Sequence, residues 1–478
     1  MKNARSWIVA YIPVYITIHD LRAKTFTKGY PVRKIALSGL VAAAAVLGGV
    51  AVPAVASAQP TAAVRPTAAV HPSAAVGLTA AVRAAITARP ADVALVDSGL
   101  PTVSCVLGTD CLGTEGSASQ SGQQRIPGRV ERWNGSSWKR LGVTLPKGTT
   151  AVDLNGVSCK GAKSCLVVGD YYTPPSLSGT SRALALSYNG TSLKPMPTVP
   201  LPKGTTDGAL SSVSCATTRY CVAIGVADGE TPAFGAFGSV IIIETWNGAK
   251  WTLHTAAAST GRTTLVVPTV VSCATSAFCV LAGVTYPFST DPGAEKPYAA
   301  SWNGRKLTAM KLRTVGGSAH DVVADGVSCP TAKTCAVTGV DLGIISSSSA
   351  TSTAFTEIWN GKTWQIAQVA EPKAAASSFN LGVSCSTARS CEAVGLDGAN
   401  EAGTSPYDAA ATSLHGTAGT VQAVPAPSKG HSDVFTAVSC LPWGSCVAVG
   451  ETGKTTASSL AGMTGVWNGK AWKLEPGF

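Results

Sequence analysis

Cysteines and carboxylates are the residues of this chain whose types and spacing could do chemistry. The 478-residue sequence contains 14 cysteines, and all of them fall into seven pairs with the spacing C-x5-C. Such a pair can form a disulfide or give two ligands to zinc. A zinc site needs more protein ligands than one pair supplies, and no histidine lies beside the pairs, so the spacing favours disulfides. The pairs are Cys105/Cys111, Cys159/Cys165, Cys215/Cys221, Cys273/Cys279, Cys329/Cys335, Cys385/Cys391 and Cys440/Cys446.

Motifs of known enzymes are weak or missing in this chain. Residues 448–455 loosely match a phosphate-binding loop, but that loop works between a strand and a helix, and here another strand follows. The sequence contains no H-E-x-x-H, G-x-S-x-G or C-x-x-C motif, and four histidines stand alone at His254, His320, His415 and His431. We therefore name no catalytic residue, predict no cofactor and favour a protein without enzymatic activity.

The cysteine pairs belong to a long internal repeat. Each first cysteine ends the sequence V-S-C, and successive first cysteines are 54 to 58 residues apart. In six of the seven repeats a glycine follows the second cysteine by four residues. A fixed period of this kind is typical of solenoids, propellers and repeat arrays. A second signature, W-N-G-x-x-W, begins at Trp133, Trp246, Trp359 and Trp467, with reduced versions at Tyr188, Trp302 and Leu414.

One repeat is predicted to form four antiparallel strands. An apolar run ends at V-S-C, a tight turn follows, and C-x-A-V-G returns as the second strand. Asn-Gly ends the third strand, because this dipeptide favours a hairpin turn, and the second Trp opens the fourth. Four such strands make a propeller blade. The predicted fold is therefore all-β: a seven-bladed β-propeller of four-stranded antiparallel blades over residues 97–478, with one hairpin disulfide in each blade.

Two features of this fold prediction stay open. A β-solenoid or a string of β-sandwiches is the alternative architecture for the same repeat. The repeats also leave no blade that is shared between the two ends of the propeller, and we expect residues 91–97 to add an edge strand that closes the ring.

The repeat resembles known propeller families. A glycine that ends the second strand, an aromatic residue and turn that end the third, and the Trp that follows resemble kelch and galactose-oxidase-like propellers. The combination of V-S-C-x5-C-x-A-V-G with W-N-G-x-x-W is similar to secreted propeller-repeat proteins of high-GC Gram-positive bacteria. This resemblance covers about residues 97–478 and implies a propeller with no settled activity. The double glycine of kelch repeats and the copper site of galactose oxidase have no counterpart here.

Residues 1–58 are predicted to be a signal peptide. Arg33 and Lys34 precede an apolar run over residues 35–52, and Ala56-Ser57-Ala58 forms a small-residue cleavage site. Residues 1–31 are an unusual extension of such a signal, so we expect the true start at Val32. A membrane anchor is the alternative. Residues 59–96 are predicted to be a Pro/Ala-rich disordered linker.

Export changes both the redox setting and the charge. An extracellular, secreted protein keeps its disulfides, which supports the pairing of the cysteines. The signal peptide holds seven of the 37 Lys and Arg residues and one of the 26 acids, so its removal lowers the net charge from +11 to +5. We therefore expect a monomer that binds no nucleic acid and is not an integral membrane protein after cleavage.

The turns of the predicted propeller separate the charges. The C-x5-C and W-N-G turns should lie on the same face, which we name the basic face, and the only acid in these turns is Asp110. This face is predicted to contact an anionic cell-wall polymer or lipid headgroups with a salt-sensitive affinity. Its ten basic residues are Lys160, Lys163, Arg219, Lys250, Arg305, Lys306, Lys333, Lys362, Arg389 and Lys470.

Acids collect at the other end of the blades, which we name the acidic face. They precede the first strands or follow the second strands, in predicted loops that also hold tyrosines. Carboxylates in this arrangement could hold Ca²⁺ or a cationic ligand, and with aromatic residues they suit a carbohydrate. The predicted ligand-binding residues are Asp153, Asp170, Tyr171, Tyr172, Asp207, Asp228, Asp325, Asp341, Asp397, Tyr407, Asp433 and Glu451.

Three functions are compatible with this sequence. The favoured one is a secreted binding or scaffold module that recognises an extracellular carbohydrate, cation or protein through the acidic face. The alternative is an extracellular enzyme that acts on polysaccharide and uses a carboxylate pair, either Asp153 with Asp170 or Asp325 with Asp341. The third is a structural envelope protein without a discrete ligand.

Overall fold

The computed structural model describes the repeat region of the chain, and its described residues contain 32 strands and no helix. The predicted signal peptide, the linker, and the proposed closing strand at residues 91–97 lie outside the described residues. None of the described residues forms a helix that could span a membrane. The described ranges are 102–115, 118–120, 124–126, 128–173, 181–229, 238–258, 264–287, 295–313, 320–346, 349–369, 377–398, 407–427, 430–454 and 461–477.

The strands form seven four-stranded antiparallel blades within the described ranges. Blades 1 to 3 account for the first fifteen strands, which include a separate hairpin of β3 with β4. Their bounds are β1 (Thr102–Leu107), β2 (Asp110–Glu115), β3 (Ala118–Gln120), β4 (Gln124–Ile126), β5 (Arg129–Trp133) and β6 (Trp138–Arg140) in blade 1; β7 (Gly142–Val143), β8 (Ala151–Gly161), β9 (Ser164–Tyr172), β10 (Ser181–Tyr188) and β11 (Ser192–Pro195) in blade 2; and β12 (Thr205–Thr217), β13 (Tyr220–Gly229), β14 (Ser239–Trp246) and β15 (Trp251–Ala257) in blade 3.

Blades 4 to 7 repeat this order. Their bounds are β16 (Thr264–Thr275), β17 (Phe278–Pro287), β18 (Lys296–Trp302) and β19 (Leu307–Ala309) in blade 4; β20 (His320–Thr331), β21 (Thr334–Ser346), β22 (Ser349–Trp359) and β23 (Trp364–Ile366) in blade 5; β24 (Gln368–Val369), β25 (Ser377–Cys385), β26 (Ser390–Gly398), β27 (Tyr407–His415) and β28 (Ala418–Gln422) in blade 6; and β29 (His431–Cys440), β30 (Cys446–Lys454), β31 (Ala461–Trp467) and β32 (Trp472–Glu475) in blade 7. The predicted fold class is confirmed.

The two sequence signatures form one row across each blade. In blade 3, for example, Cys215 lies opposite Cys221, which lies opposite Trp246, which lies opposite Trp251. Since the row joins the end of the first strand to the end of the third, the C-x5-C and W-N-G turns lie at the same end of the blade.

All seven predicted disulfides are present, one in each blade. Their Cα–Cα distances are 3.8–4.1 Å, and no free cysteine occurs among the described residues. Each bridge joins the first strand of a blade to the second, as the C-x5-C spacing predicts. The bridges are Cys105–Cys111, Cys159–Cys165, Cys215–Cys221, Cys273–Cys279, Cys329–Cys335, Cys385–Cys391 and Cys440–Cys446.

The structure corrects the predicted limits of the strands around these cysteines. The sequence pattern starts the second strand at its cysteine, but in blades 1 to 6 that strand starts one residue earlier. In blades 1 to 5 the first strand also continues for two residues past its cysteine, so only two residues remain for the turn. The bridged residues therefore lie inside the ladder. The six cysteines that follow the first residue of their strand are Cys111, Cys165, Cys221, Cys279, Cys335 and Cys391.

The W-N-G turn depends on both of its small residues. In blade 1 the Asn134 Oδ1 accepts the backbone N–H groups of Ser136 and Ser137, each at 2.9 Å, and so closes the turn. The next residue, Gly135, has a φ of 100°, a region that residues with a Cβ rarely occupy. The same signature therefore specifies a hairpin turn wherever it recurs.

The glycine that follows the second cysteine fits a bulge in the first strand. In blades 2 to 7 the pairing of the first and second strands skips one residue directly after the partner of this glycine. In the first strand, the carbonyl of the residue before the glycine's partner then points at the glycine. In blade 6, for example, a Cβ on Gly395 would lie 1.7 Å from the backbone oxygen of Phe379. A β-bulge bends and twists its strand, and here only glycine leaves room for it. The skipped residues are Asn155, Ser211, Thr269, Asp325, Leu381 and Thr436.

A ring of hydrogen bonds joins the inner strands of the blades. The serine of each V-S-C accepts the backbone N–H of the V-S-C cysteine in the next blade, as in Cys159 N–H to Ser104 Oγ at 2.9 Å. The same bond recurs at all seven junctions, with N···O distances of 2.8–3.0 Å. The seventh, from Cys105 to Ser439, connects blade 1 to blade 7 and closes the ring.

The tryptophans fill the spaces between blades. Trp133 is fully buried against Val447 and Val449 of blade 7, and Trp138 donates its indole N–H to Thr464 of the same blade at 2.8 Å. Similar clusters surround Trp251 between blades 2 and 3 and the other tryptophans of this position. Side chains of adjacent blades therefore supply the core, as expected from the repeat.

At two junctions of the described chain a short strand adds a parallel pairing with the neighbouring blade. The short strand β7 follows blade 1 and pairs in parallel with β11, the outer strand of blade 2. The strand β24 follows blade 5 and pairs in the same way with β28 of blade 6. These links tie the outer edges of the neighbouring blades.

The bulge predicts that alanine at a second-strand glycine will destabilise the propeller strongly. Gly395→Ala places a Cβ against a backbone oxygen that cannot move without breaking the blade. We expect the free energy of unfolding in urea to fall by about 3 kcal/mol or more. Gly142→Ala is the control, because no atom lies within 4 Å of its Cβ position, and it should change stability by less than about 1 kcal/mol. Equal effects of the two changes would contradict the role of the bulge.

The ring of hydrogen bonds predicts a measurable cost for losing a single serine. Ser439→Ala leaves the N–H of Cys105 without its acceptor, which should cost about 1 to 2 kcal/mol in the free energy of unfolding. Ser301→Ala removes a weaker exposed bond of 3.4 Å and should cost less than about 0.5 kcal/mol. Urea unfolding with intact disulfides measures the free energy of unfolding of both variants. Equal losses in the two variants would show that the junction bond does not stabilise the ring.

Candidate functional site

The cysteines form the interior of the blades and take no part in a surface site. The second cysteine of every pair is buried, with 0–5% of its surface exposed. Its sulfur is bonded to the first cysteine, so it has no thiolate to offer a metal ion or a substrate. The residues in question are Cys111, Cys165, Cys221, Cys279, Cys335, Cys391 and Cys446. Any chemistry of this protein therefore belongs to its other polar side chains.

The predicted ligand-binding acids lie within strands, where we expected loops. The first and second strands run past the bulge and are up to 13 residues long, so they include the positions that flank V-S-C and C-x-A-V-G. Nine of the twelve predicted residues are buried: Asp153, Asp170, Tyr172, Asp207, Asp325, Asp341, Tyr407, Asp433 and Glu451. Three are half-buried: Tyr171, Asp228 and Asp397.

Some of these acids connect neighbouring blades. Asp207 accepts the backbone N–H of Ser181 at 2.9 Å, at the start of the third strand of blade 2. Asp321 accepts the N–H of Glu295 in the same way between blades 5 and 4, also at 2.9 Å. Ser432, at the same position in blade 7, accepts the N–H of Tyr407 in blade 6 at 3.2 Å. This position near the start of the first strand therefore has a structural role: its side chain accepts a backbone N–H of the preceding blade.

Other acids are engaged inside their own blade. Asp341 contacts the Nδ1 of His320 at 2.5 Å, and burial raises the pKa of this carboxyl while the histidine opposes the rise. Asp433 accepts the hydroxyl of Thr452 at 2.5 Å, and Asp228 accepts the hydroxyl of Ser239 at 2.5 Å. Each of these contacts joins two strands of one blade at the acidic face.

The carboxylate pairs proposed for catalysis differ in their geometry. Asp153 lies directly opposite Asp170 in the ladder of β8 and β9. Asp325 and Asp341 are not opposite each other, because Asp341 pairs with Val322. Among the described residues, no group of three or more His, Cys, Asp or Glu side chains is arranged to hold a metal ion.

Asp325 is the acid among the bulge residues. Three of the others donate to the carbonyl before the second-strand glycine: Ser211 to Ile224, Thr269 to Ala282 and Thr436 to Val449. Asp325 occupies the same position, is 2% exposed, and neither of its oxygens has a hydrogen-bond partner. Burial raises the pKa of Asp325 well above its usual range. A protonated carboxyl is the form that matches the donors found at this position in other blades.

Among the residues that the structure describes, the ten cations of the basic face form no ion pair with an acid. All ten Lys and Arg residues of the C-x5-C and W-N-G turns are exposed. The one acid of these turns, Asp110, is buried and accepts the Nε–H of Arg132 at 2.8 Å. The stems of Lys163 and Arg219 pack over the turn glycines Gly190 and Gly248 of their own blades. The W-N-G turn therefore positions cations as well as reversing the chain.

An exposed apolar patch lies on the basic face at the junction of blades 7 and 1. Trp443 is 61% exposed and Leu107 is 49% exposed. Both belong to C-x5-C turns, and the two turns touch, since a Cβ on Gly108 would lie 3.8 Å from Leu441 and Ser445. Large apolar side chains at this exposure are unusual and mark candidate contact points.

Comparisons with known proteins place the chain near several propellers. No protein-family model matches the chain, and no curated protein matches it. The β-propeller domain of the Trilobed protease from Pyrococcus furiosus aligns at 10% identity and a TM-score of 0.42, over 78% of this chain and 96% of that one. An α-L-arabinanase from Penicillium chrysogenum aligns at 10% identity and a TM-score of 0.43, over 66% of this chain and 92% of that one.

A third similar structure is much longer than the aligned region. The acylaminoacyl peptidase from Pyrococcus horikoshii aligns at 9% identity and a TM-score of 0.43, over 79% of this chain. The chain spans about half the length of that protein, 52%. Identities and TM-scores this low transfer no function to the present chain.

Sequence reasoning missed the buried glutamates of the third strands. Glu131, Glu244 and Glu357 each precede the W-N-G tryptophan by two residues, and that spacing was visible in the sequence. Glu357 accepts the backbone N–H of Arg313 at 2.8 Å. Glu244 is fully buried and neither of its oxygens has a partner. Burial raises the pKa of Glu244 to about 8 and that of Glu357 to about 7.

The pKa of Glu244 predicts that this side chain destabilises the fold as pH rises. The unfolded chain loses this proton near its ordinary pKa of 4.5, while the folded chain keeps it up to about pH 8. Ionisation of Glu244 therefore leaves the free energy of unfolding unchanged at pH 4 and lowers it progressively between about pH 4.5 and pH 8. Glu244→Gln, which stays neutral, should match the parent at pH 4 and gain roughly 2 kcal/mol or more at pH 8.

Urea unfolding at pH 4, 6 and 8 measures this difference. Glu475→Gln serves as the control, because Glu475 lies beside Lys473 with a distance of 2.6 Å between Oε1 and Nζ. It should gain no stability over the same pH range. A difference between the Glu244 variant and its parent that stays constant with pH would refute the assignment of a buried, protonated carboxyl.

Proposed function

We propose that this protein is an exported binding or scaffold propeller that attaches through its basic face to an anionic polymer outside the cell. The observation that carries the proposal is the charge of that face: ten exposed cations against one acid, which is buried and paired with Arg132. Clustered charge of one sign attracts a polyanion over a range set by the salt concentration. An anionic cell-wall polymer has the matching chemistry.

The positions of the cations support attachment over a wide area. They occur on most of the blades and in both sets of turns, so the charge surrounds the propeller axis. Lys163, Arg219 and Lys333 rest on turn glycines, which limits the number of conformations that their side chains lose on binding. Trp443 and Leu107 add an apolar contact on the same face.

Several features support an extracellular location for this activity. Seven disulfides are stable outside the cytoplasm. The predicted signal peptide at residues 1–58 and linker at 59–96 would deliver the propeller there. The proposal also includes the finer resemblance, to kelch-like repeats and to secreted propeller-repeat proteins of Gram-positive bacteria. We propose a monomer that binds no nucleic acid.

A ligand on the acidic face is a second proposal. Asp228, Asp397 and Tyr171 keep part of their surface exposed, and they define where a cation, carbohydrate or protein could contact this face. The enzymatic alternative has weaker support: Asp170 and Asp325 are 0% and 2% exposed, and a glycosidase needs two carboxyls that reach the substrate.

The main proposal predicts a salt-sensitive retention that depends on one face. The triple variant Lys306→Glu, Lys362→Glu and Lys470→Glu reverses three exposed charges in W-N-G turns. Its affinity for immobilised inorganic polyphosphate at low salt should fall about tenfold or more, because each reversal replaces attraction by repulsion. Elution of the full chain in a salt gradient measures the change.

The matched control reverses three exposed lysines of the acidic face. Lys147→Glu, Lys203→Glu and Lys454→Glu change the net charge by the same amount, and all three lie where strands begin or end opposite the turns. This variant should keep most of its retention. Equal losses in the two variants would show that net charge alone causes binding, and retention that persists in the first variant would reject the basic face as the docking surface.

A further inference from the structure

A groove of about 270 Å³ opens on the basic face between blades 2 and 3. Its walls include Trp246, Met196 and Ser187, and Lys163 stands at its rim. The volume lies just below the range of about 300–1,000 Å³ that is typical of sites for drug-sized ligands. The groove is therefore large enough for a single ring, and it combines an aromatic surface with a cation.

A small residue faces the W-N-G aromatic at this junction. The side chain of the W-N-G aromatic points at the preceding blade, and the residue before each W-N-G aromatic points at the following blade. Ile358 thereby covers Leu414 at the junction of blades 5 and 6, and Val466 covers Trp133 at the junction of blades 7 and 1. Ser187 takes this position in blade 2 and lines the groove beside Trp246. Ser301 and Ser413 take it in blades 4 and 6, where the facing Trp359 is half-buried and the facing Trp467 is buried.

Trp246 is unusual among the residues of its repeat position. The equivalent residues Trp133, Tyr188, Trp302, Leu414 and Trp467 are buried, whereas Trp246 is half-buried. Trp359 is also half-buried, but its indole nitrogen is buried without a partner. Within the described part of the chain, the indole N–H of Trp246 makes no hydrogen bond, and its nitrogen is not buried. Trp246 thus offers both a ring face and an N–H donor to the groove.

The charges beside the groove select an anion. Lys163 stands on the blade 2 side, with its stem across Gly190. Arg219 follows the lining residue Thr218 on the blade 3 side and packs against Gly248. One exposed cation, Lys163, therefore lines the groove, and a second, Arg219, is the sequence neighbour of a residue that lines it. A simple inorganic anion would use the cations but leave the aromatic surface unused.

Glu244 lies on the same strand as Trp246 but does not line the groove. It precedes Trp246 by two residues on β14, so both side chains project toward blade 2. Its carboxyl is fully buried and both oxygens lack a partner. A buried polar group without a partner is costly, and Glu131 and Glu357 take the same repeat position in blades 1 and 5.

We propose that this groove binds one acidic sugar unit, with the apolar face of the sugar ring on Trp246 and its anionic group beside Lys163. This inference rests on the proposed attachment to an anionic polymer and names the repeating unit that the polymer carries. An acidic sugar is the ligand class that needs an aromatic surface and cations at once, and it matches a groove with room for one ring.

Titration calorimetry of the full chain with three probes tests the chemistry of the ligand. The probes are trigalacturonate, neutral maltotriose and inorganic tripolyphosphate. We expect trigalacturonate to bind at least about tenfold more tightly than either of the others, since a tenfold change needs only one good additional contact. Lys163→Gln should remove most of the preference for trigalacturonate over maltotriose.

Variants borrowed from other blades test the place of binding. Ser187→Val introduces at this junction the residue that Val466 supplies between blades 7 and 1, so it fills the groove with a side chain that the fold already accepts. It should weaken trigalacturonate binding at least about tenfold. Ser301→Val makes the same change at the same repeat position of blade 4 and should leave binding within about twofold.

The outcomes separate this inference from the proposed function. Equal binding of trigalacturonate and tripolyphosphate, or trigalacturonate binding that Ser187→Val does not change, would overturn the sugar site. Salt-sensitive retention on polyphosphate could still stand in that case, because it depends on the outer lysines of the W-N-G turns. Maltotriose binding that is as strong as trigalacturonate binding would reject the acidic class of ligand.

Discussion

The hydrogen bond between a cysteine N–H and a serine of the preceding blade is the interaction on which this ring depends. The disulfide joins directly opposite residues whose Cα atoms are 3.8–4.1 Å apart, the spacing of a pair that exchanges no ladder hydrogen bonds. The cysteine N–H therefore points away from the second strand, at the free inner edge. The serine one residue earlier in the neighbouring repeat satisfies it. V-S-C thus creates an unpaired N–H donor and supplies the acceptor for the next one. A single short motif therefore specifies both the disulfide within a blade and the hydrogen bond between blades.

Much of the fold could be predicted because its determinants are local. C-x5-C, Asn-Gly and the paired tryptophans each act within one hairpin, so their spacing gives the strands and the faces. The candidate site could not be predicted in the same way. Asp207 and Asp321 looked like loop acids, but the bulge lengthens the first strand and places them against backbone N–H groups of the preceding blade. Ser187 carries no signal by itself; its place beside Trp246 depends on which side of the strand faces which neighbour.

Differences between the repeats show where the propeller departs from its own pattern. Most bulge residues are donors that satisfy a carbonyl, and Asp325 breaks this rule with a buried carboxyl. Three third strands carry a buried glutamate two residues before the aromatic, and Glu244 differs from Glu357 because neither of its oxygens has a hydrogen-bond partner. Such exceptions cost stability, which seven disulfides and a repeated core can offset. The repeats therefore provide an internal reference, against which each unusual residue is a candidate for function.

The junction between blades 7 and 1 has a consequence for the history of the ring. Each described blade is built from a continuous stretch of chain, and the closing junction uses the same Cys105-to-Ser439 bond that every other junction uses. Within the described ranges every blade comes from one stretch of chain, so the inner-strand bond of the closing junction is the same as at the other six. A propeller of this kind can gain or lose a whole blade by duplication or deletion of one repeat, and it can be opened at another junction, without redesigning the contact that completes the circle.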